Sequence, residues 1–172
     1  MKEIYKNLFV GNQEDYENNV KYQKNWAIVH ACKEPYHRQA LGYIGRAADK
    51  KHPEYLIAKR NNDTRLILNL IDVDDSNYIQ KVLIDEAINF IHKNLLNNNK
   101  VLVHCNKGQS RSASIGMLYL AVYTNTFSNK SDFNLVENEF IEKYPLYNPS
   151  KGIRDFLIMN WKKYVNGDKS EK

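Results

Sequence analysis

The sequence is poor in cysteine and has no long apolar run. Its 172 residues include two cysteines, Cys32 and Cys105, and neither they nor the five scattered histidines have zinc-ligand spacing. No apolar stretch approaches the length that spans a bilayer, and the first residues do not have a signal-peptide profile. We therefore expect a protein of a reducing compartment, the cytoplasm, without a membrane span.

Internal repeats, heptads and a glycine-rich dinucleotide motif are also missing from the sequence. The apolar fraction of 42% and the charged fraction of 26% are typical of a globular domain. The chain is long enough to bury one core. We predict a single domain over residues 1–166 and a disordered tail over residues 167–172.

What the sequence does contain is the stretch His-Cys-Asn-Lys-Gly-Gln-Ser-Arg-Ser at residues 104–112. An apolar-rich run precedes it and a helix-like run follows it, so it should form a tight loop between a strand and a helix. Backbone N–H groups of such a loop converge on one point, where the helix dipole adds positive potential. The pattern predicts a site for a tetrahedral dianion such as phosphate, and for a thiolate.

The residue types in this loop suit phosphate chemistry. Cys105 is the candidate nucleophile, and Arg111 is a cation whose planar fork can hold two phosphate oxygens. Gly108 allows a turn and a close approach to the ligand. Ser112 can donate a hydrogen bond to the sulfur, and Ser110 can cap the helix. The expected phosphate-binding set is Asn106, Lys107, Gly108, Gln109, Ser110 and Arg111.

His104 is interpreted as a partly buried orienting residue and not as a base. The alternative for Cys105 is a buried, inert thiol beside a surface arginine, because free cysteines are commonly small buried side chains. The combination of histidine, glycine, arginine and two serines at these offsets favours the functional interpretation.

The His-Cys-(five residues)-Arg-Ser pattern resembles the signature of the cysteine-dependent protein tyrosine phosphatases. Its Gly-x-Ser-Arg-Ser ending is most similar to the dual-specificity branch, and other segments resemble that branch in the same order: 4–12, 26–31, 87–91 and 148–153. The resemblance implies an α/β fold with a central, mainly parallel sheet flanked by helices. The CX5R phosphate loop would join a strand to a helix, and the chemistry would need no metal or other cofactor.

Expelling an alkoxide or phenoxide requires a proton donor opposite the attacking sulfur. The resemblance implies an aspartate about thirty residues before the cysteine. Asp74 lies 31 residues before Cys105 and best matches the family offsets. Asp75 and then Asp72 are the alternatives, since an Asp-Asp-Ser run before a helix is also a capping cluster. We expect Asp75 to be the cap.

Residues 33–64 are longer than the family connection at this place, and we expect a variable loop insertion with a short helix from Pro53 to Lys59. Residues 33–65 hold eight Lys or Arg against four acids. This segment is either a solvated surface or a basic rim that attracts anionic substrates.

Cys32 follows the second predicted strand. Its position resembles that of a cysteine in the phosphatase-and-tensin branch, which can form a disulfide with the nucleophile. The resemblance implies a reversible redox partner for Cys105. A cysteine that only fills space is the alternative.

The predicted function is hydrolysis of phosphate monoesters on protein side chains through a phosphocysteine intermediate, on phosphotyrosine, with phosphoserine and phosphothreonine left open. Two alternatives remain: a phosphoinositide or RNA 5′-phosphate substrate, and a non-catalytic phosphate-binding module. The expected partner is a phosphorylated protein. Nucleic acid is not expected as a partner, and the oligomeric state stays open.

Overall fold

A six-stranded mixed sheet forms the centre of the molecule in a computed structural model that describes residues 1–167. In chain order its strands are β1 (Lys2–Tyr5), β2 (Leu8–Gly11), β3 (Trp26–His30), β4 (Ile57–Arg60), β5 (Arg65–Leu68) and β6 (Lys100–His104). The spatial order is β1-β2-β6-β3-β5-β4. The four central strands run parallel, and the two edge strands pair antiparallel. The predicted α/β class with a parallel centre is confirmed.

The register of the central strands brings three strand ends into line. Val101–Val103 are fully buried, as expected for an apolar strand inside a parallel sheet. Across β6, His104 aligns with Gly11 of β2 on one side and with His30 of β3 on the other. Loops that follow these strands therefore meet at one edge of the sheet, where α/β proteins place their ligands.

Helices cover the sheet. They are α1 (Gln13–Asp15, continued by a π-helical turn Tyr16–Val20), α2 (Arg38–Leu41, preceded by a π-helical turn Lys33–His37), α3 (Lys81–Leu96), α4 (Arg111–Tyr123), α5 (Phe133–Lys143) and α6 (Lys151–Asn166). Nearly every side chain of α4 is buried, so α4 is the central helix that its apolar sequence predicts. No helix within residues 1–167 has both the length and the apolar character needed to cross a bilayer.

The helix expected after the Asp-Asp-Ser run does not begin directly after it. A short 3₁₀ turn, Ser76–Tyr78, comes first, and α3 begins at Lys81. Ile79 has extended backbone angles, and it separates the 3₁₀ turn from α3. The Asp75 carboxylate accepts a hydrogen bond from the Asn77 N–H at 2.9 Å and thereby holds the 3₁₀ turn.

Residues 33–64 hold more regular structure than the predicted loop. The chain forms helical turns over residues 33–41 and the edge strand β4, so the helix predicted for Pro53–Lys59 is wrong. Pairing with β5 decides this, because it buries Ala58 completely while Lys59 stays exposed.

Side chains inside this segment fix its shape. The buried His37 ring contacts the Glu54 carbonyl oxygen at 3.0 Å, and burial lowers the pKa of His37. Arg38 pairs with Glu34, and Arg60 pairs with Glu54. Two of the basic side chains in the segment are therefore engaged by carboxylates of the same segment. The predicted disordered tail lies, apart from Gly167, outside the described residues.

Candidate active site

The loop between β6 and α4 has a shape that requires glycine. Gly108 has a φ of +73°, and a Cβ atom there would lie 2.8 Å from the Gly11 carbonyl oxygen. The Gly108 carbonyl accepts a hydrogen bond from the Tyr144 hydroxyl at 2.7 Å. The Gln109 carbonyl accepts one from the Asn148 N–H at 2.9 Å. Neighbouring segments thus hold the loop from outside.

A pocket of about 470 Å³ opens over this loop. It is lined by Asp72, Cys105, Asn106, Lys107, Gln109, Ser110, Arg111, Asn148, Pro149 and Ser150. The structure therefore gathers five of the six residues that the sequence assigned to phosphate binding. Gly108 is buried beneath the pocket and shapes the loop. The segment from Asn148 to Ser150, just before α6, closes the opposite side.

Cys105 lies at the floor of the pocket with 1% of its surface exposed. Its Sγ atom is 3.2 Å from the Ser112 Oγ atom, which also lies 3.3 Å from the Gly11 carbonyl oxygen. The Ser112 hydroxyl is thus close enough to donate a hydrogen bond to the sulfur, as the sequence predicts.

The Arg111 guanidinium is buried, and one of its three nitrogen atoms has no hydrogen-bond partner within the described residues. Its Nη1 donates to the Leu70 carbonyl at 3.0 Å and its Nη2 donates to the Asn106 Oδ1 at 2.7 Å. Its Nε has no hydrogen-bond partner among residues 1–167, and the Asp72 Oδ2 lies 3.7 Å away. A buried donor without an acceptor is costly, and an oxyanion in the pocket would supply the acceptor.

The sequence predicts Asn106 only as a phosphate-binding residue of the loop. In the structure its side chain also connects the loop to two other segments. The Asn106 Oδ1 accepts the hydrogen bond from Arg111. The Asn106 Nδ2 donates to the Glu34 carbonyl at 2.9 Å and to the Gln13 Oε1 at 3.1 Å. The side chain therefore links the guanidinium to α1 and to the start of residues 33–64. The sequence contains no signal for this link, because its partners are 93 and 72 residues away.

The prediction that Ser110 caps α4 is wrong. Ser110 occupies the capping position, but its side chain makes no capping hydrogen bond within the described residues. Its Oγ donates to the Asp72 Oδ1 at 2.8 Å and accepts from the Ser150 N–H at 2.9 Å. The charged carboxylate is the stronger acceptor, so it takes the hydroxyl proton. Ser110 thereby joins the loop to the Asp72 segment and to α6.

The three candidate aspartates occupy different places. Asp72 lines the pocket, and Asp75 caps the 3₁₀ turn as expected. Asp74 is exposed and is not among the lining residues. A Cβ atom at Gly152 would lie 3.2 Å from the Asp74 carbonyl carbon, so the Asp74 backbone lies beside the first turn of α6.

The segment that carries these aspartates is fixed to α6 through its backbone. The Gly152 N–H donates to the Val73 carbonyl oxygen at 3.0 Å. A Cβ atom at Gly152 would lie 2.2 Å from that oxygen, so only glycine fits here. The aspartates and the start of α6 are therefore in direct backbone contact.

The model of the dual specificity phosphatase catalytic domain matches residues 22–144 of this chain. The chain belongs to the dual specificity phosphatase family. It is 29% identical over 168 residues to human dual specificity protein phosphatase 16, covering 95% of this chain and 21% of that protein. It is 27% identical over 125 residues to dual specificity protein phosphatase 22-A of Danio rerio, covering 73% of this chain and 50% of that protein. The chain thus spans half or less of the length of these two relatives.

Solved structures share the fold of this chain. One neighbour is the human tyrosine phosphatase-like serine/threonine/tyrosine-interacting protein, with a TM-score of 0.62 and 20% identity. The similarity covers 96% of this chain and 97% of that one. At this identity the comparison confirms the phosphatase-like fold that the sequence predicts.

His104 is completely buried, more than the sequence predicts for it. Burial lowers its pKa to about 4, so it is neutral at physiological pH. Its Nδ1 lies 3.4 Å from the Cys105 carbonyl oxygen. A neutral ring in this position can orient the loop, but it is a poor base.

Cys32 lies near the start of the loop between β6 and α4, since the residue before it, Ala31, donates its backbone N–H to the His104 carbonyl. Cys32 is fully buried, and both cysteines are free thiols. Burial raises the pKa of Cys32 to about 12, and the charge of Cys105 acts in the same direction. Cys32 and Cys105 follow His30 and His104, which are aligned in the β3–β6 pair, so both thiols lie at the same edge of the sheet.

Proposed function

We propose that this chain hydrolyses phosphate monoesters on protein side chains, phosphotyrosine first, through a phosphocysteine intermediate. The observation that carries the proposal is the pocket floor, where a cysteine sulfur lies beside a buried guanidinium with a free N–H donor. A phosphoryl group placed there would meet a nucleophile and a charge-assisted donor together. Family membership supports the same class of reaction.

In the first step the Cys105 thiolate attacks phosphorus in line with the leaving oxygen. The P–O bond to that oxygen breaks and a P–S bond forms, while Arg111 and the loop N–H groups hold the other oxygens. The leaving oxygen takes a proton from a carboxylic acid. In the second step that carboxylate removes a proton from water, which attacks phosphorus. The P–S bond then breaks, and Ser112 donates to the departing sulfur.

We assign the proton transfer to Asp74 and a positioning role to Asp72. Both Asp72 oxygens already face donors, because Oδ1 accepts from Ser110 and Oδ2 lies 3.7 Å from the Arg111 Nε. Asp72 is therefore arranged to orient those two side chains. Asp74 is two residues away, exposed, and next to the first turn of α6, where it can turn towards a leaving group at the pocket mouth.

Matched variants test the two assignments. We expect Cys105→Ser to abolish hydrolysis of para-nitrophenyl phosphate. The activity of the wild type should survive EDTA. Asp74→Asn should lower kcat about 10²-fold or more on phosphotyrosine, whose leaving group needs the proton, and much less on para-nitrophenyl phosphate. Asp72→Asn should raise KM on both substrates alike. If the dependence on leaving group appears in Asp72→Asn instead, Asp72 is the acid.

A substrate panel tests the substrate class. Phosphotyrosine peptide, phosphothreonine peptide, phosphoinositide and RNA 5′-phosphate should be compared at equal concentration. The proposal expects the highest kcat/KM on a phosphopeptide. Retained phosphopeptide binding without turnover on any substrate would instead indicate a binding module. Because the reaction needs a free thiolate, we also propose a reducing location such as the cytoplasm.

A further inference from the structure

Two buried histidines form a hydrogen-bonded chain behind the nucleophile. The Nδ1 of His30 lies 2.6 Å from the Nε2 of His104. The Nε of Arg65, the first residue of β5, lies 3.0 Å from the Nε2 of His30. The far nitrogen of His104, Nδ1, lies 3.4 Å from the carbonyl oxygen of Cys105. The chain therefore runs from Arg65 through both rings to the backbone of the candidate nucleophile.

The direction of every hydrogen bond in this chain follows from its first member. An arginine Nε–H can only donate, so the Nε2 of His30 must be an unprotonated acceptor. A neutral His30 then carries its proton on Nδ1 and donates it to the Nε2 of His104. His104 in turn must carry its proton on Nδ1, which faces the Cys105 carbonyl.

The surroundings keep both rings neutral. Tyr16 stacks on His104 with ring centres 5.1 Å apart and planes 2° apart, and Tyr36 stacks on His30 at 4.2 Å and 25°. Burial is the main cause that lowers the pKa of each histidine, and the positive charge of Arg65 lowers both further. A doubly protonated His30 would have no lone pair for Arg65.

We propose that Arg65 is a positioning residue of the active site, which fixes the tautomers of His30 and His104 and so aims the His104 Nδ1–H at the Cys105 carbonyl. Because the peptide unit is planar and trans, holding this carbonyl towards His104 turns the Asn106 N–H to the opposite side. That N–H belongs to a pocket-lining residue of the phosphate loop. Arg65 thus acts on a proposed phosphate ligand without touching the phosphate.

Only the kinetic part of this inference rests on the proposed function. The tautomers are a property of the folded protein, and long-range ¹⁵N–¹H correlation spectra of the histidine rings report them directly. In the wild type, both His30 and His104 should show protonated Nδ1 and unprotonated Nε2. A protonated Nε2 on either ring in the wild type overturns the proposal before any variant is made.

The variants separate positioning from packing. Arg65→Met keeps an apolar stem and removes the donor, and Arg65→Lys keeps a group that only donates. The matched control is Arg60→Met, since Arg60 lies directly opposite Arg65 in the β4–β5 pair but binds Glu54. All three variants leave the proposed catalytic residues in place.

We expect Arg65→Met to shift His30 towards the Nε2–H tautomer and to lower kcat roughly tenfold, the effect of one misdirected hydrogen bond. Alkylation of Cys105 by iodoacetate at pH 7 should slow as well. Arg65→Lys should retain the wild-type tautomers, and Arg60→Met should leave them unchanged.

Unchanged tautomers and kcat in Arg65→Met would show that Arg65 only packs against the sheet. If the tautomers shift as expected but no variant or wild type turns over substrate, the proposed function fails and the positioning role stands.

Discussion

The buried histidine pair should make the protein sensitive to mild acid. His104 has its pKa lowered from 6.5 to about 4, mainly because burial disfavours the imidazolium. Below pH 6.5 the unfolded chain therefore binds a proton at this residue while the folded chain does not. The unfolded state binds more protons, so the free energy of unfolding falls as the pH is lowered from 6.5 towards 4.

The size of this effect follows from the two pKa values. Between pH 7 and pH 5, His104 alone removes about 2 kcal/mol from the free energy of unfolding. The lowered pKa of His30 acts in the same direction. Carboxylates such as Glu34 and Glu54 have lowered pKa values because arginines donate to them. The stability that these carboxylates contribute is lost only below about pH 4.5. A change in the free energy of unfolding between pH 7 and pH 5 therefore reports the histidines and not the carboxylates.

Urea unfolding at several pH values measures how the free energy of unfolding depends on pH, and His104→Gln is the comparison. The variant should be less stable at pH 7, because it leaves polar partners without the ring. Its stability should nevertheless change about 2 kcal/mol less than that of the wild type between pH 7 and pH 5. Parallel curves for the two proteins would refute the assignment of a buried, neutral His104.

Three further predictions concern single side chains. Gly108→Ala should lower kcat/KM at least about tenfold, because the residue needs a positive φ and its Cβ would press on Gly11; steady-state kinetics with a melting curve checks this. Asp75→Ala should cost about 1 kcal/mol of stability with kcat unchanged, since it only caps a turn. Peroxide converts a cysteine to a sulfenic acid, with which a second thiol condenses, releasing water. If Cys32 plays this part, added thiol should restore more activity to oxidised wild type than to Cys32→Ser, and equal recovery would contradict it.

Local sequence made the loop between β6 and α4 predictable. Cys105, Gly108 and Arg111 lie within seven consecutive residues between a strand and a helix, so their proximity does not depend on the rest of the fold. Four of the six strands and the four long helices followed from apolar patterns of the same local kind, whereas β1 and β4 did not. These parts of the site and fold could be predicted from the sequence.

Features that depend on distant partners could not be predicted. Ser110 is placed like a helix cap, but Asp72, 38 residues away, competes for its hydroxyl. β4 contains residues that also suit a helix, and its conformation is decided by pairing with β5. The positions of Asp72 and Asp74 differ because the backbone between them turns against α6, which their spacing alone does not reveal. Nothing in the sequence marks Arg65 as a hydrogen-bond partner of His30, which is 35 residues away.

The contact between Gly152 and Val73 has a consequence for inhibition. Since no methyl group fits between them, a small displacement of the carboxyl-terminal helix must move the neighbouring acidic residues with it. Met159 and Ile158 on that helix are exposed to solvent. Because Asp72 lines the pocket, a compound bound to this outer surface would be expected to change both the maximal velocity and the substrate affinity of the proposed reaction, and so to act as a mixed inhibitor.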